Sequence, residues 1–155
     1  MVPVPTIRPA GPADAPAIHA LLAALTPQVI ERPEEAAPFL GTCTQEAVAA
    51  RLADPAFTHH VAEVSGEVVG FVAVRDGSHL YHLFVADAYQ GSGLGARLWD
   101  AARTAAGAPR FTVNATRNAV GFYQRQGFSP EGPLVRQHGL SFQPMALDAA
   151  ASPNL

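Results

Sequence analysis

Between positions 90 and 96 the chain reads Gln90-Gly91-Ser92-Gly93-Leu94-Gly95-Ala96. The run follows an apolar strand pattern that ends at Val85. It precedes a helical spacing of apolar residues at Leu94, Leu98 and Ala102. A strand, a glycine-rich turn and a helix start in that order gather unpaired backbone N-H groups at the positive end of a helix dipole, which is a site for an anion such as a phosphate. Glycines let the anion approach the backbone closely and let the loop take positive φ. Taken alone, such a run also reads as a tight turn with no ligand. It satisfies Gly-x-Gly-x-x-Ala through Gly91, Gly93 and Ala96, one form of the dinucleotide fingerprint, but the context is wrong for that fold. The fingerprint follows an early strand of a parallel β-α-β unit and is followed by an acidic residue about 20 positions on. Here it follows an antiparallel meander, and no Asp or Glu stands near Asn114 and Ala115.

The remaining reactive side chains narrow the chemistry. No Lys occurs anywhere in the chain, which excludes a Gly-Lys-Ser/Thr phosphate loop, a Schiff-base enzyme and a Lys general base. His79 lies on the strand that leads to Val85, on the same face as Tyr81, and an imidazole titrates near neutral pH. Strict alternation sends His82 to the opposite face, so the His79-x-x-His82 spacing is a poor metal pair and no metal is expected. His59 and His60 are divided between faces in the same way and read as packing or surface residues. Cys43 has no sequence cue for a neighbouring base. Glu31, Glu34 and Glu35 fall in a broken loop, where one could meet a cationic ligand or all could be solvated.

Composition bounds the rest. The 155 residues, with 48% apolar and 15% charged, suit one folded domain, expected over 1–148, with a disordered tail at 149–155. A lone cysteine, no signal-peptide pattern and no apolar run of about 20 residues lead to the expectation of a cytoplasmic chain without a membrane span. Residues 1–90 carry four Arg against ten Asp/Glu, net −6, and residues 91–155 six Arg against three, net +3. A basic second part suits a polyanionic ligand, an acidic first part a cationic one, although charges scattered over solvated faces give the same totals. The overall −3, without a basic cluster, argues against nucleic acid.

Several elements must position the turn. Pro3 to Arg8 reads as a strand, and Ile18, Leu21, Leu22 and Leu25 give a helix. Thr26 to Thr42, broken by Pro27, Pro33, Pro38 and Gly41, reads as a loop. Thr44 opens a capping-box pattern before a short helix that ends near Asp54-Pro55. Ser65-Gly66 and Asp76-Gly77 separate three strands in antiparallel order, the last of them His79 to Val85. After the glycine-rich turn come a helix stopping at Gly107, a strand from Phe111 to Asn114, a helix from Arg117 to Gln126 capped by Gly127, and strands near Phe128 to Val135 and Leu140 to Leu147. The order β-α-α-β-β-β-α-β-α-β-β predicts an α/β domain with a mixed, mainly antiparallel sheet flanked by helices.

On this scaffold two motifs together become specific. Gln90-Gly-Ser-Gly93-Leu-Gly95 resembles the cofactor motif Gln/Arg-x-x-Gly-x-Gly/Ala of the GNAT N-acetyltransferase superfamily. Asn118-Ala-Val-Gly-Phe-Tyr123-Gln-Arg-Gln-Gly127-Phe128 is similar to that family's second helix motif, with some drift in spacing. The two cover about a third of the chain, and the strand order covers nearly all of it.

The resemblance implies a fold, a cofactor and roles. Backbone amides from Gln90 through Gly91, Ser92, Gly93, Leu94 and Gly95 to Ala96 would hold the pyrophosphate of coenzyme A. Phe84 and Val85 would pair with the pantetheine arm in a gap between splayed central strands, and the Val85 N-H would meet the oxyanion. Asn118 matches a position that contacts the cofactor. Tyr123 matches the tyrosine that stands near the sulfur and protonates the departing thiolate, leaving Phe122 as the better fit for a purely packed aromatic. His79 becomes the candidate base, Tyr81 a substrate neighbour, and Asn114 either a partner of the acyl carbonyl or a plain turn residue. Amine attack on a thioester needs a neutral amine, a close approach and oxyanion stabilisation, with no covalent intermediate on the enzyme. The expected function is direct transfer of acetyl from acetyl-CoA to a small amine, peptide or protein. The alternatives are O-acyl transfer and a regulatory module that binds acyl-CoA without turnover. A homodimer through an exposed strand edge near Gly139 to Met145 is a further expectation.

Overall fold

A computed structural model describes residues 3–149, so the expected tail lies outside the described residues except for Ala149. The chain opens with β1 (Thr6–Pro9) and turns through Gly11 into α1 (Ala15–Leu25). Asp14 fixes that turn: its carboxylate accepts from the Gly11 amide at 2.8 Å and from the Arg8 guanidinium at 2.8 and 2.9 Å. The stretch after α1 holds no long helix, only single turns and the four-residue α2 (Ala37–Leu40), in keeping with a reading as loop or short turns. α3 (Gln45–Ala53) starts at Thr44, whose hydroxyl accepts from the Ala47 amide at 3.1 Å. The reciprocal half of the expected capping box is lacking, because the third helical position is Ala47 and has no side-chain acceptor.

β2 (Phe57–Val64), β3 (Glu67–Arg75) and β4 (His79–Val85) then form the antiparallel meander, joined where Ser65-Gly66 and Asp76-Gly77 take positive φ at both positions. That is the turn geometry whose twist matches paired strands. α4 (Leu94–Ala106) ends at Gly107, with φ 63°, and β5 (Arg110–Thr116) extends two residues beyond its expected end. α5 (Val120–Arg125) follows a single tight turn over Arg117–Ala119. The predicted strand at Phe128 to Val135 is split into β6 (Ser129–Pro130) and β7 (Val135–Gln137), because Gly132, with φ 87°, and Pro133 interrupt it. β8 (Leu140–Asp148) completes the sheet.

The strand order is β1-β2-β3-β4-β5-β8-β6, with β7 also on β8; β4 and β5 are parallel and the other pairs antiparallel. The expected open edge near Gly139 to Met145 is paired: β8 pairs with β5 on one side and, over Leu140–Phe142 and Met145–Ala146, with β7 and β6 on the other. Apolar residues fill both faces of the sheet. Leu94, Leu98 and Trp99 of α4 pack on Val72, Leu80 and Phe111. On the opposite face Ile18 and Leu22 of α1 and Val48 of α3 pack on Val61 and Phe71.

The centre of the sheet carries the feature that shapes the site. β4 and β5 share ladder pairs only at His79↔Thr112 and Leu80↔Val113, and beyond them the two strands part. The parting begins where β4 carries a bulge: Val74 pairs with Leu80 and Ala73 with His82, so Tyr81 is the extra residue. A bulge bends its strand and increases local twist, which turns the rest of β4 away from β5 and opens a gap between them.

Candidate active site

Two cavities flank this gap, one of about 410 Å³ and one of about 470 Å³, and Leu83, Ala119 and Tyr123 line both. The larger one is built on the glycine-rich turn. Gly91 and Gly93 take φ 78° and 88°, where a side chain would be strained. Among the described residues the amides of Gly91, Gly93, Leu94, Gly95 and Ala96 have no acceptor, and the last three open a helix of 13 residues. Five free N-H groups and a helix dipole converge there. The turn is held by the Gln90 side chain, which donates to the Val85 carbonyl at 3.0 Å, and by the Ser92 hydroxyl, which donates to the Tyr89 carbonyl. Gly95 faces α5 so closely that a Cβ would stand 3.3 Å from the Phe122 ring.

The sequence candidates are distributed unevenly around this cavity. Val85, Gln90, Gly91, Gly93, Gly95, Ala96, Asn118 and Tyr123 line it. Ser92 does not: its amide as well as its hydroxyl is turned to the Tyr89 carbonyl. Leu94 does not line it either, and its side chain is buried in the core. Phe84 lines the smaller cavity instead. Arg125, which sequence reasoning quoted without assigning, is the one arginine lining the larger cavity; its place in the second motif was the available signal. Asn118 accepts from the Thr116 hydroxyl at 2.8 Å.

The smaller cavity lies between β4, β5, the Thr26–Thr42 loop and the β7–β8 hairpin, with Phe39, Phe84, Leu140 and Phe142 among its walls. The loop is tied to the hairpin. The Glu31 and Arg32 amides donate to the Gly139 carbonyl at 2.7 and 3.0 Å. A Cβ on Gly139 would collide with the Arg32 carbonyl oxygen, so only glycine fits this contact. Glu31 accepts from the buried Ser141 hydroxyl at 2.7 Å and from Arg117 at 2.9 Å, and these partners hold its carboxyl below the usual carboxylate range. Arg32 takes Glu34 and Glu35, at 3.6 and 3.0 Å. The loop acids therefore face other protein groups, and none of them lines the cavity.

Three sequence expectations about side chains are corrected. His82 does not point away from Tyr81: the bulge interrupts alternation, their rings lie 4.4 Å apart, and His82 packs against Phe71 and Phe84 on the face covered by α1 and α3. Both rings line the smaller cavity. His79 lines neither cavity. It sits at the closed end of the gap, its Nδ1 2.8 Å from the Thr112 hydroxyl, with its pKa lowered by burial and by Arg75. Asn114 lies within β5, opposite Pro144, rather than at a strand end, and it lines the smaller cavity.

Burial also decides which groups are charged. Tyr123 is 5% exposed and packs edge-on against Phe122 and Phe128, so it is the more deeply packed aromatic of α5, the reverse of the expectation for Phe122. Burial pushes its phenol up, which keeps it protonated, and its hydroxyl has no hydrogen-bond partner among the described residues. Burial and the Arg51 guanidinium hold His82 down to about 3 and, with His60 adding to them, His59 to about 4. Arg51 lies 5.3 Å from the Tyr81 ring centre, with its Nε unpartnered. Cys43 is buried, which raises its thiol pKa, and it lines neither cavity. No group of three or more metal-ligating side chains occurs among the described residues, and no described helix is long and apolar enough to cross a membrane.

Residues 27–149 match the acetyltransferase (GNAT) domain. The chain belongs to the GNAT acetyltransferases. A GCN5-related N-acetyltransferase of Rhodopseudomonas palustris is similar in structure, with 28% identity, a TM-score of 0.76, and 96% of this chain and 98% of that one covered. The PaiA N-acetyltransferase of Thermoplasma acidophilum, solved with coenzyme A, shares the GNAT fold at 17% identity and a TM-score of 0.73, covering 93% and 98%. The spermidine N-acetyltransferase SpeG of Vibrio cholerae, solved in a mutant form, shares it at 20% identity and 0.64, covering 94% of each chain. No curated protein sequence matches the chain. A GNAT domain implies acyl-CoA binding together with an acceptor, and the bulged, splayed sheet and the two adjoining cavities are consistent with that pair of ligands.

Proposed function

We propose that this GNAT domain transfers an acetyl group from acetyl-CoA directly to the nitrogen of an amine. The observation that carries the reading is Tyr123, a protonated phenol common to a cavity built on a turn with five free amides and to a second cavity with several aromatic walls. The pyrophosphate sits on the amides from Gly91 to Ala96, with Arg125 supplying positive charge and Asn118 a polar contact. The pantetheine arm follows the end of β4 through the gap, past Val85 and Leu83, and brings the thioester to Tyr123. The amine waits in the smaller cavity beside Tyr81, His82, Phe84 and Asn114.

Attack of the amine nitrogen on the thioester carbonyl forms the C-N bond and an oxyanion, which the Val85 N-H meets. Collapse breaks the C-S bond, the Tyr123 hydroxyl protonates the departing thiolate, and the proton shed by the acylated nitrogen restores the phenol. The general-base role expected of His79 has no geometric support, since His79 lines neither cavity. His82 does line the acceptor cavity, yet with its pKa held near 3 it is too weak to deprotonate a free ammonium. The amine therefore enters as the neutral base, and His82 orients it.

Thermal unfolding with acetyl-CoA, with NADH and ATP as controls, tests the cofactor. At about 100 times its Kd a ligand adds roughly 2.7 kcal/mol, which raises the midpoint on the order of 5 to 10 °C. A rise with acetyl-CoA followed by amine-dependent thiol release is the expected result. A rise with NADH alone would overturn the reading of the turn. A rise with acetyl-CoA and no thiol release with any amine would leave a binding module.

A further inference from the structure

We infer that the acceptor is a small primary amine bearing an aryl group, not a polyamine or a protein lysine; the inference rests on the acyl-transfer reading above. The acceptor cavity has aromatic and aliphatic walls at Phe39, Phe84, Leu140 and Phe142, neutral polar groups such as Asn114 and Gln137 beside them, and no Asp or Glu in its lining. The loop carboxylates lie outside the cavity: Glu31 meets Ser141 and Arg117, and the exposed Glu34 and Glu35 share the single guanidinium of Arg32. An ammonium taken into such a cavity keeps no counter-charge, and burying an unpaired charge is strongly unfavourable. A polyamine brings at least one further ammonium that has no partner there. An aryl group, by contrast, meets aromatic walls with which it packs favourably.

The cavity's outer wall is fixed in place as well. The Glu31 and Arg32 amides bind the Gly139 carbonyl, and Gly139 leaves no space for a side chain at that contact. This tie holds the loop against the hairpin beside a half-open cavity of about 410 Å³, a volume in the range of small-molecule pockets. The acceptor nitrogen reaches the thioester at Tyr123 while its aryl group rests between Phe39 and Phe142.

Initial rates of thiol release from acetyl-CoA with 2-phenylethylamine, spermidine and a lysine-containing peptide test this directly. We expect kcat/KM for 2-phenylethylamine to exceed both others by at least about tenfold, equivalent to roughly 1.4 kcal/mol. Phe142→Glu places a carboxylate in the cavity and should move the ratio toward spermidine by about tenfold or more, with the acetyl-CoA midpoint shift retained. Phe39→Ala, in the loop, gives the same test without a buried charge: KM for 2-phenylethylamine should rise several-fold and that for spermidine should not. Acetyl-CoA binding with spermidine or the peptide used as well or better, with no turnover of 2-phenylethylamine, or with ratios unmoved by both variants, overturns this inference alone. The absence of any acetyl-CoA shift overturns the acyl-transfer reading and this inference with it.

Discussion

At Tyr123 a phenol is buried, protonated and without a hydrogen-bond partner among the described residues. Removing an unpartnered hydroxyl leaves no orphaned group behind, so Tyr123→Phe should cost little stability. A group that hands its proton to the leaving thiolate contributes on the order of 10²-fold or more. The expected outcome is a fall of about that size in kcat, an unchanged acetyl-CoA midpoint shift and an unchanged melting temperature. An unaltered kcat would remove the acid role from Tyr123. Sequence spacing was sufficient to single out this residue, through the helix motif that ends at Gly127-Phe128. It could not tell which of the adjacent aromatics is more deeply packed, because that depends on where Phe128 and Leu83 lie around α5. His82 shows the same limit more sharply. Alternation put it on the wrong face, since a bulge at Tyr81 leaves no mark in residue type.

At the scale of elements, the glycine-rich turn and the loop tie make separate demands. Gly93 has positive φ and nothing within 4 Å of the position a Cβ would take, so the protein alone has room for a methyl group there but a bound phosphate would meet it. Gly93→Ala should weaken acetyl-CoA binding by about tenfold or more, read by isothermal titration, with a backbone cost of roughly 1 to 2 kcal/mol. Wild-type affinity in that variant would mean the phosphate binds elsewhere. Glu31→Gln keeps the shape of the Glu31–Ser141–Arg117 network and removes its charge. It should raise KM for the amine several-fold and leave acetyl-CoA affinity alone, whereas equal effects on both would show that the loop serves the fold generally. The turn was legible because glycine spacing reports backbone geometry directly. The tie was not, because Glu31 stands 110 positions before Ser141 and nothing local links the two.

The molecule as a whole should be sensitive to mild acid. His59 and His82 are held neutral, with pKa values pushed down to about 4 and about 3 from an ordinary 6.5. The unfolded chain takes up these protons near pH 6.5 and the folded chain does not, so their contribution is complete above about pH 6.5 and is lost as pH falls toward the folded values. Each imidazole costs at most about 1.4 kcal/mol per pH unit in that window. The expected melting midpoint falls on the order of 5 to 10 °C between pH 7 and pH 5, and the fall is smaller in His82→Gln. Asp14 and Glu31 have lowered pKa values and lose their contribution only at lower pH, whereas His60 and His79, whose pKa values burial also lowers, add to the fall in the same window. A flat midpoint between pH 7 and pH 5 would mean that these imidazoles titrate normally.

By itself the sequence determined the order of elements apart from α2 and the division of β6 from β7, the two hairpin turns, the glycine-rich turn and both motifs that flank the larger cavity. These follow from hydrophobic period and from residues whose backbone preferences are strong, and both kinds of signal are local. Tertiary structure alone decided that β4 bulges and parts from β5, that His79 stays at the closed end while His82 reaches the acceptor cavity, and that the loop acids spend their charge on Arg32, Arg117 and Ser141. Those outcomes depend on register between distant strands and on which charged groups meet across the fold. Such relations arise from packing the whole chain, and no short window of residues contains them.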